Sequence, residues 1–191
     1  MKKSYLTLLL IGFTTVFFAQ ESKETKEARK SQEIKSTKYG VRTGFNISNL
    51  DFEPGPLFTN AHRNGFFFGG FAEFMLSNSV FLNTEIQWSA EGAKDEDLRA
   101  NYINLPIQLR FALADKLTIG AGSQVSLKTW QDTDGFETFT FSAVGGLEYE
   151  IFTDYFIDVR AVYGFSNILD DAVALLEAKQ FMIQLGIGIK I

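Results

Sequence analysis

The chain has 191 residues and a formal net charge of −5, with 46% hydrophobic, 15% aromatic and 21% charged side chains. Ample apolar material, 16 Gly, 3 Pro and no Cys exclude low-complexity sequence, collagen, a disulfide-stapled miniprotein and any zinc site built on thiolates. The single histidine, His62, removes His-pair metal motifs and leaves a serine triad one possible base. No catalytic residue, metal site or cofactor is therefore expected, and the chain is not read as an enzyme.

Met1-Lys2-Lys3-Ser4-Tyr5, an apolar run from Leu6 to Phe18 and then Ala19-Gln20 have the layout of a secretory signal peptide. Cleavage is expected after Ala19, although Phe17 departs from the small-x-small rule. The apolar run falls short of the ~20 residues of a spanning helix. Residues 20–37 mix both signs of charge and hold almost nothing apolar, so they are expected to form a solvated periplasmic tail. Its functional alternative is a docking arm for a periplasmic or envelope protein.

From Lys38 to the last residue the hydrophobic period is two, the mark of strands with one apolar face. In the first segment Tyr39, Val41, Thr43, Phe45 and Ile47 oppose Gly40, Arg42, Gly44, Asn46 and Ser48. The second, 65–76, blurs at Phe66-Phe67-Phe68, and Glu73 assigns its odd positions to the polar face. The third sets Leu82, Ile86 and Trp88 against Asn83, Glu85, Gln87 and Glu91, and the fourth Ile103, Ile107 and Leu109 against Asn104, Gln108 and Arg110. The fifth opposes Ile119, Val125 and Leu127 to Gly120, Gln124 and Lys128, and the sixth Phe139, Phe141 and Leu147 to Thr140, Glu148 and Glu150. In the seventh Ile157, Val159 and Tyr163 face away from Asp158, Arg160 and Gly164, and in the eighth Leu185, Ile187 and Ile189 face away from Gln184, Gly186 and Lys190.

The connections alternate in length. Residues 77–79, 114–116 and 152–154 are tight turns, whereas 50–63, 93–100, 129–137 and 167–179 are longer loops. The fold expected is all-β: an eight-stranded antiparallel up-and-down transmembrane β-barrel over 38–191, with short periplasmic turns and longer extracellular loops. Glycines on the polar face suit a crowded interior where a large side chain meets a small neighbour, so the polar face is assigned to the lumen and the apolar face to outer-membrane lipid. A monomer in the cell outer membrane is expected.

The lumen set then comprises six acids (Glu73, Glu85, Glu91, Glu148, Glu150, Asp158) and five bases (Arg42, Arg110, Lys128, Arg160, Lys190), an ion-pair network expected to plug the barrel. Centring the connection between the third and fourth segments between Asp97 and Leu98 makes facing positions sum to 195, which sets Glu85 against Arg110 and Glu91 against Asn104. Around the turn at Asp115 the sum of 230 puts Arg110 across from Gly120, whose missing side chain leaves room for the guanidinium. The long loops hold eleven acids and four bases, which argues against nucleic acid and leaves divalent cations or basic partners as alternatives to simple solubility.

Three motifs carry little. Asp132-Thr133-Asp134-Gly135 lacks the remaining ligands of an EF-hand and reads as a hairpin turn. His62 with Asp51 or Asp170 and Ser166 is the only constellation for a loop-sited hydrolase or acyltransferase. Residues 170–179, with Val173, Leu175 and Leu176, have the pattern of a short amphipathic helix packing over the barrel mouth.

The opening strand from Tyr39 to Leu50, the hairpin from Gly69 to Ser77, the run from Tyr102 to Arg110 and Gly120-Ala121-Gly122-Ser123-Gln124 resemble the outer membrane protein β-barrel family labelled PorT-like or porin family, common in Bacteroidota. The resemblance spans roughly 39–191 and implies fold and compartment more than activity. The family's name-giver belongs to the type IX secretion system, which implies a secretion-accessory role as one alternative; a small-solute channel is a separate one. The last eight residues, with Gln184, Gly186, Ile189 and Ile191, resemble the C-terminal signal read by the barrel assembly machinery, except that an aromatic is usual where Ile191 stands. The leading expectation is a plugged barrel with a structural or interaction role through its loops or tail.

Overall fold

The computed structural model describes residues 37–53, 61–129, 136–169 and 177–191. They form eight strands: β1 (Thr37–Glu53), β2 (Arg63–Ser77), β3 (Val80–Gly92), β4 (Arg99–Ala114), β5 (Leu117–Lys128), β6 (Phe139–Glu150), β7 (Tyr155–Gly164) and β8 (Glu177–Lys190). Each pairs antiparallel with its sequence neighbour, and β1 pairs with β8, so the sheet closes and no edge is left. The signal-peptide and tail expectations fall outside the described residues, except that Thr37, assigned to the tail, opens β1.

Side-chain alternation sorts the wall as the period of two requires. On β1, Tyr39, Val41, Phe45 and Ile47 are exposed on the outer face while Arg42, Asn46 and Ser48 are buried in the lumen. The ambiguous β2 follows Glu73: Phe66 and Phe68 point outward, and Phe67 and Phe71 lie buried inside. Outward aromatics gather at both ends of the wall. Phe66, Phe68, Trp88, Phe139, Phe141, Tyr163 and Phe165 ring the end that carries the long loops, and Tyr39, Phe74, Phe111, Tyr149, Phe152 and Tyr155 ring the end of the tight turns. Two such girdles bracketing an apolar band are what a wall in a bilayer carries.

The connection between β3 and β4 is shorter than expected. The strands run on to Gly92 and Arg99, Ala93 N–H bonds Leu98 O at 2.9 Å, and a 3-10 turn at Glu96–Leu98 closes the link. Gly92 has φ +100°, and a Cβ there would lie 2.1 Å from Leu98 O, so only glycine permits this closure. Facing positions therefore sum to 191, not 195: Phe81 faces Arg110 and Gln87 faces Asn104. Around the Asp115 turn Arg110 does face Gly120. At the other long connections β1 continues to Glu53 and β8 begins at Glu177, so residues 177–179 of the expected loop helix are strand, and 170–176 lie outside the described residues. The Asp132 turn also lies outside them.

The new register brings Glu85 opposite Pro106. The bonds from Ala93 to Leu98 and from Ala112 N–H to Ser79 O show that odd residues of β3 exchange hydrogen bonds with β4, and the ladder lapses between the Thr84/Ile107 and Gln87/Asn104 pairs. Proline has no N–H to give the Glu85 carbonyl, and a closed barrel has no edge on which to place it. Pro106→Ala restores the donor. The recovered bond exceeds the ~0.4–1 kcal/mol that alanine returns to the unfolded chain, because an unmet carbonyl costs more in hydrocarbon than in water. The expected result is slower hydrogen exchange at Ile86 and Gln87 with a net gain of up to about 1 kcal/mol in urea unfolding from vesicles. Unchanged exchange would mean that the ladder is not interrupted there.

Candidate functional site

The lumen of this barrel holds a layer of paired charges. Arg42 of β1 reaches Asp158 of β7 with a two-pronged grip, Nε donating to Oδ2 at 2.9 Å and Nη2 to Oδ1 at 2.6 Å. Its Nη1 donates to Glu85 Oε1 at 3.2 Å, Gln87 Oε1 at 2.9 Å and Gln184 Oε1 at 3.2 Å. The guanidinium lies over the Phe67 ring, 4.3 Å from its centroid, where the π face adds attraction for a cation. Arg160 Nη1 donates to the other oxygen of Glu85 at 2.7 Å, and its Nη2 lies 3.6 Å from Asp158. Towards the turn end, Arg110 pairs with Glu73 at 2.7 Å and with Glu148, while Lys190 Nζ joins the same two carboxylates at 3.0 and 2.7 Å.

These eight groups are four bases and four acids, a net charge of zero. Neutrality is what burial demands: the side chains are between 0% and 14% exposed, and any one left alone would bear an uncompensated desolvation cost. Glu148 and Asp158 face each other across β6 and β7, so two like charges meet and each draws its own bases.

Lumen glycines make this packing possible. A Cβ at Gly186 would lie 2.6 Å from Asp158 Oδ1 and 2.8 Å from Arg42 Nη2, and one at Gly120 would lie 3.1 Å from Arg110 Cγ. The aromatic rings use the same device, with Phe67 lying over Gly44 and Phe71 over Gly40. Beyond the ion layer, towards the loop end, buried apolar side chains cluster as a cap, among them Leu50, Phe52, Tyr102, Phe136, Ile168 and Ala178. The void beside Arg110 and Arg160 measures about 10 Å³, room for one water at most.

Three residues expected in the network do not join it. Glu91 is fully buried but accepts from neutral amides, Asn104 Nδ2 and Gln180 Nε2, both at 2.5 Å. It faces Ala100, so its bond to Asn104 is diagonal and not the facing pair expected. Lys128 Nζ donates to the Phe136 carbonyl at 2.8 Å, drawn up toward the apolar cap. Glu150 stands half-buried at the turn end opposite Phe156, without an ion pair to any described residue. The pairing of Glu85 with Arg110 is also corrected, because the tighter connection at Gly92 slides β4 by four positions relative to the register expected. Reading the sequence set Phe67, Phe71 and Gln87 on the polar face without assigning them contacts in the lumen, and it missed the apolar cap, whose signal was the continued even parity of β1 through Leu50 and Phe52.

The four residues of the expected C-terminal signal occupy β8 and its end. Gln184 and Gly186 face the ion layer, Ile189 faces outward opposite Val41, and Ile191 is 84% exposed while exchanging backbone bonds with Tyr39. Of the hydrolase constellation, Ser166 Oγ accepts the Phe141 N–H at 3.0 Å, exposed His62 lies in an isolated bridge with Ala93, and Asp170 lies outside the described residues.

A double-mutant cycle reads the pairing directly. Glu73 and Arg110, truncated singly and together, are expected to show a coupling of about 1–3 kcal/mol, whereas Glu85 and Arg110 are expected to be additive within ~0.5 kcal/mol. The reverse ranking would restore the register first expected.

Comparison with solved structures finds the same architecture. Ail, the attachment invasion locus protein of Yersinia pestis, is 14% identical, with 82% of this chain and 99% of that chain covered at a TM-score of 0.50. Neisserial surface protein A is 10% identical, with 80% and 97% covered at a TM-score of 0.55. Ail in complex with the heparin analogue sucrose octasulfate gives 14%, 82%, 99% and 0.51. At these identities the likeness is one of fold. Comparison with curated proteins gave no match. The model of a family described as the outer membrane protein beta-barrel domain matches residues 18–170. With its closed eight-stranded wall and paired aromatic girdles, the chain belongs to that outer-membrane β-barrel family.

Proposed function

We propose that this outer-membrane protein is a closed barrel without a conducting path, and that its role is structural or interactive, exercised through its loops or through the tail of residues 20–37. The observation that carries this reading is the neutral eight-ion layer lying beneath an apolar cap. A solute path needs continuous water, and here the polar section is filled by mutually paired side chains while the mouth is filled by hydrocarbon. The long loops together with the strand ends that carry them hold eleven acids against four bases, a composition unsuited to a polyanion such as the heparin analogue bound to Ail. Export by residues 1–19 and recognition of β8 by the barrel assembly machinery, through Gln184, Gly186, Ile189 and Ile191, belong to the same proposal. The PorT-like resemblance supports an envelope partner of the secretion-accessory kind.

Liposome swelling tests the reading. Vesicles carrying the refolded protein are expected to swell in small sugars and amino acids no faster than protein-free vesicles. Swelling that scales with protein content would replace this reading with a small-solute channel. Affinity capture from cell envelopes, with and without residues 20–37, then separates a tail-bound partner from a loop-bound one.

A further inference from the structure

The outer wall is not smooth. A cross-strand row of Ile86, Gly70, Val41, Ile189 and Tyr155 runs obliquely from β3 to β7. Beside it, one step towards the loop end, the wall rises at Trp88 and Phe68. Between them lies an open furrow of about 700 Å³ with Gly70 in its floor. Ile86 and Val41 are more than half exposed, so this is lipid-facing surface and not lumen.

We propose that the furrow holds a single acyl chain of a membrane lipid. Its length fits: four inter-strand spacings of ~4.8 Å make about 19 Å, and at a strand tilt near 45° the row climbs about 14 Å along the barrel axis. One leaflet contributes about half of the ~30 Å hydrocarbon core, so a chain reaching to the bilayer centre matches that climb. Its chemistry fits as well. Thr43, midway along the furrow, already donates its hydroxyl to Phe67 O at 2.8 Å, and the Arg42 guanidinium is taken up in the lumen by Asp158, leaving a predominantly apolar trough. Its shape selects a flexible chain over a second copy, because another barrel wall is convex and bridges a furrow without filling it. The inference concerns the outer wall alone and is independent of whether the lumen conducts.

Gly70 supplies the test. A Cβ there meets nothing nearer than Gly40 O at 3.7 Å, so Gly70→Leu fills the furrow without disturbing the backbone. Gly145, facing lipid between Ala121 and Ala161, is equally open, with Gly120 O at 3.6 Å, and Gly145→Leu is the control. Full-length proteins are refolded in phosphatidylethanolamine vesicles, extracted in mild detergent and weighed by native mass spectrometry. One retained phospholipid is expected on the wild type and on Gly145→Leu, and none on Gly70→Leu. If Gly70→Leu does not fold, Ile86→Trp fills the furrow from its side and is read in the same way. The proposal is overturned if the wild type retains no lipid, if the filled variant keeps it, if the control loses it equally, or if the retained mass is a second copy of the chain.

Discussion

Arg42→Leu is expected to destabilise the protein by about 3–5 kcal/mol in urea unfolding from phospholipid vesicles. The guanidinium carries both prongs to Asp158 and one bond to Glu85, so its loss leaves Asp158 with only the distant edge of Arg160, 3.6 Å away. The eight-ion layer then holds one net negative charge in a packed section whose void beside Arg160 has room for one water at most. Replacing both ions removes the cause: in Arg42→Leu with Asp158→Leu, Glu85 keeps Arg160 at 2.7 Å and charges again balance. That double variant is expected to recover most of the loss, since a buried pair exchanged for apolar groups is often neutral. Equal losses in the single and double variants would show that Arg42 acts by packing on Phe67 and not by neutralising Asp158.

Ile107→Arg is expected to cost about 2–4 kcal/mol in the same assay, and Leu113→Arg only about 0–1 kcal/mol. Both side chains face outward on β4, but Ile107 lies in mid-strand and Leu113 next to the tight turn. A charge at mid-depth must be buried in hydrocarbon, whereas one near the turn reaches the headgroups by extending its stem. Gln108 is the inward neighbour of Ile107 and is 2% exposed. Gln108→Leu keeps volume and charge and is expected to change stability less than Ile107→Arg. A flat cost along β4 would contradict a bilayer around this wall.

The parity of the strands was legible because two opposite solvents, hydrocarbon outside and a packed ionic layer inside, write an alternating pattern onto every segment. Glu73 alone resolved β2, since an acid on the lipid side of a triple phenylalanine run is untenable. The register of β3 against β4 was not legible, because it depends on where the chain reverses, and that was decided by the positive φ of Gly92 rather than by any hydrophobic pattern. Partners across the lumen were further out of reach. Arg42 and Asp158 are separated by 116 positions and stand on strands that do not pair, so only closure of β1 on β8 brings them together. The parity set by Glu73 turns Phe67 and Phe71 inward, but what their rings cover was not legible, because it is a glycine on the neighbouring strand, Gly44 or Gly40, that makes room for each.

The central claim, a lumen closed by the eight-ion layer and its apolar cap, is tested most directly by single-channel recording of the refolded full-length protein in a planar bilayer. A quiet baseline is expected at all moderate voltages, with no unitary steps in proportion to protein added. Steady, reproducible unitary conductance from the folded wild type would contradict it.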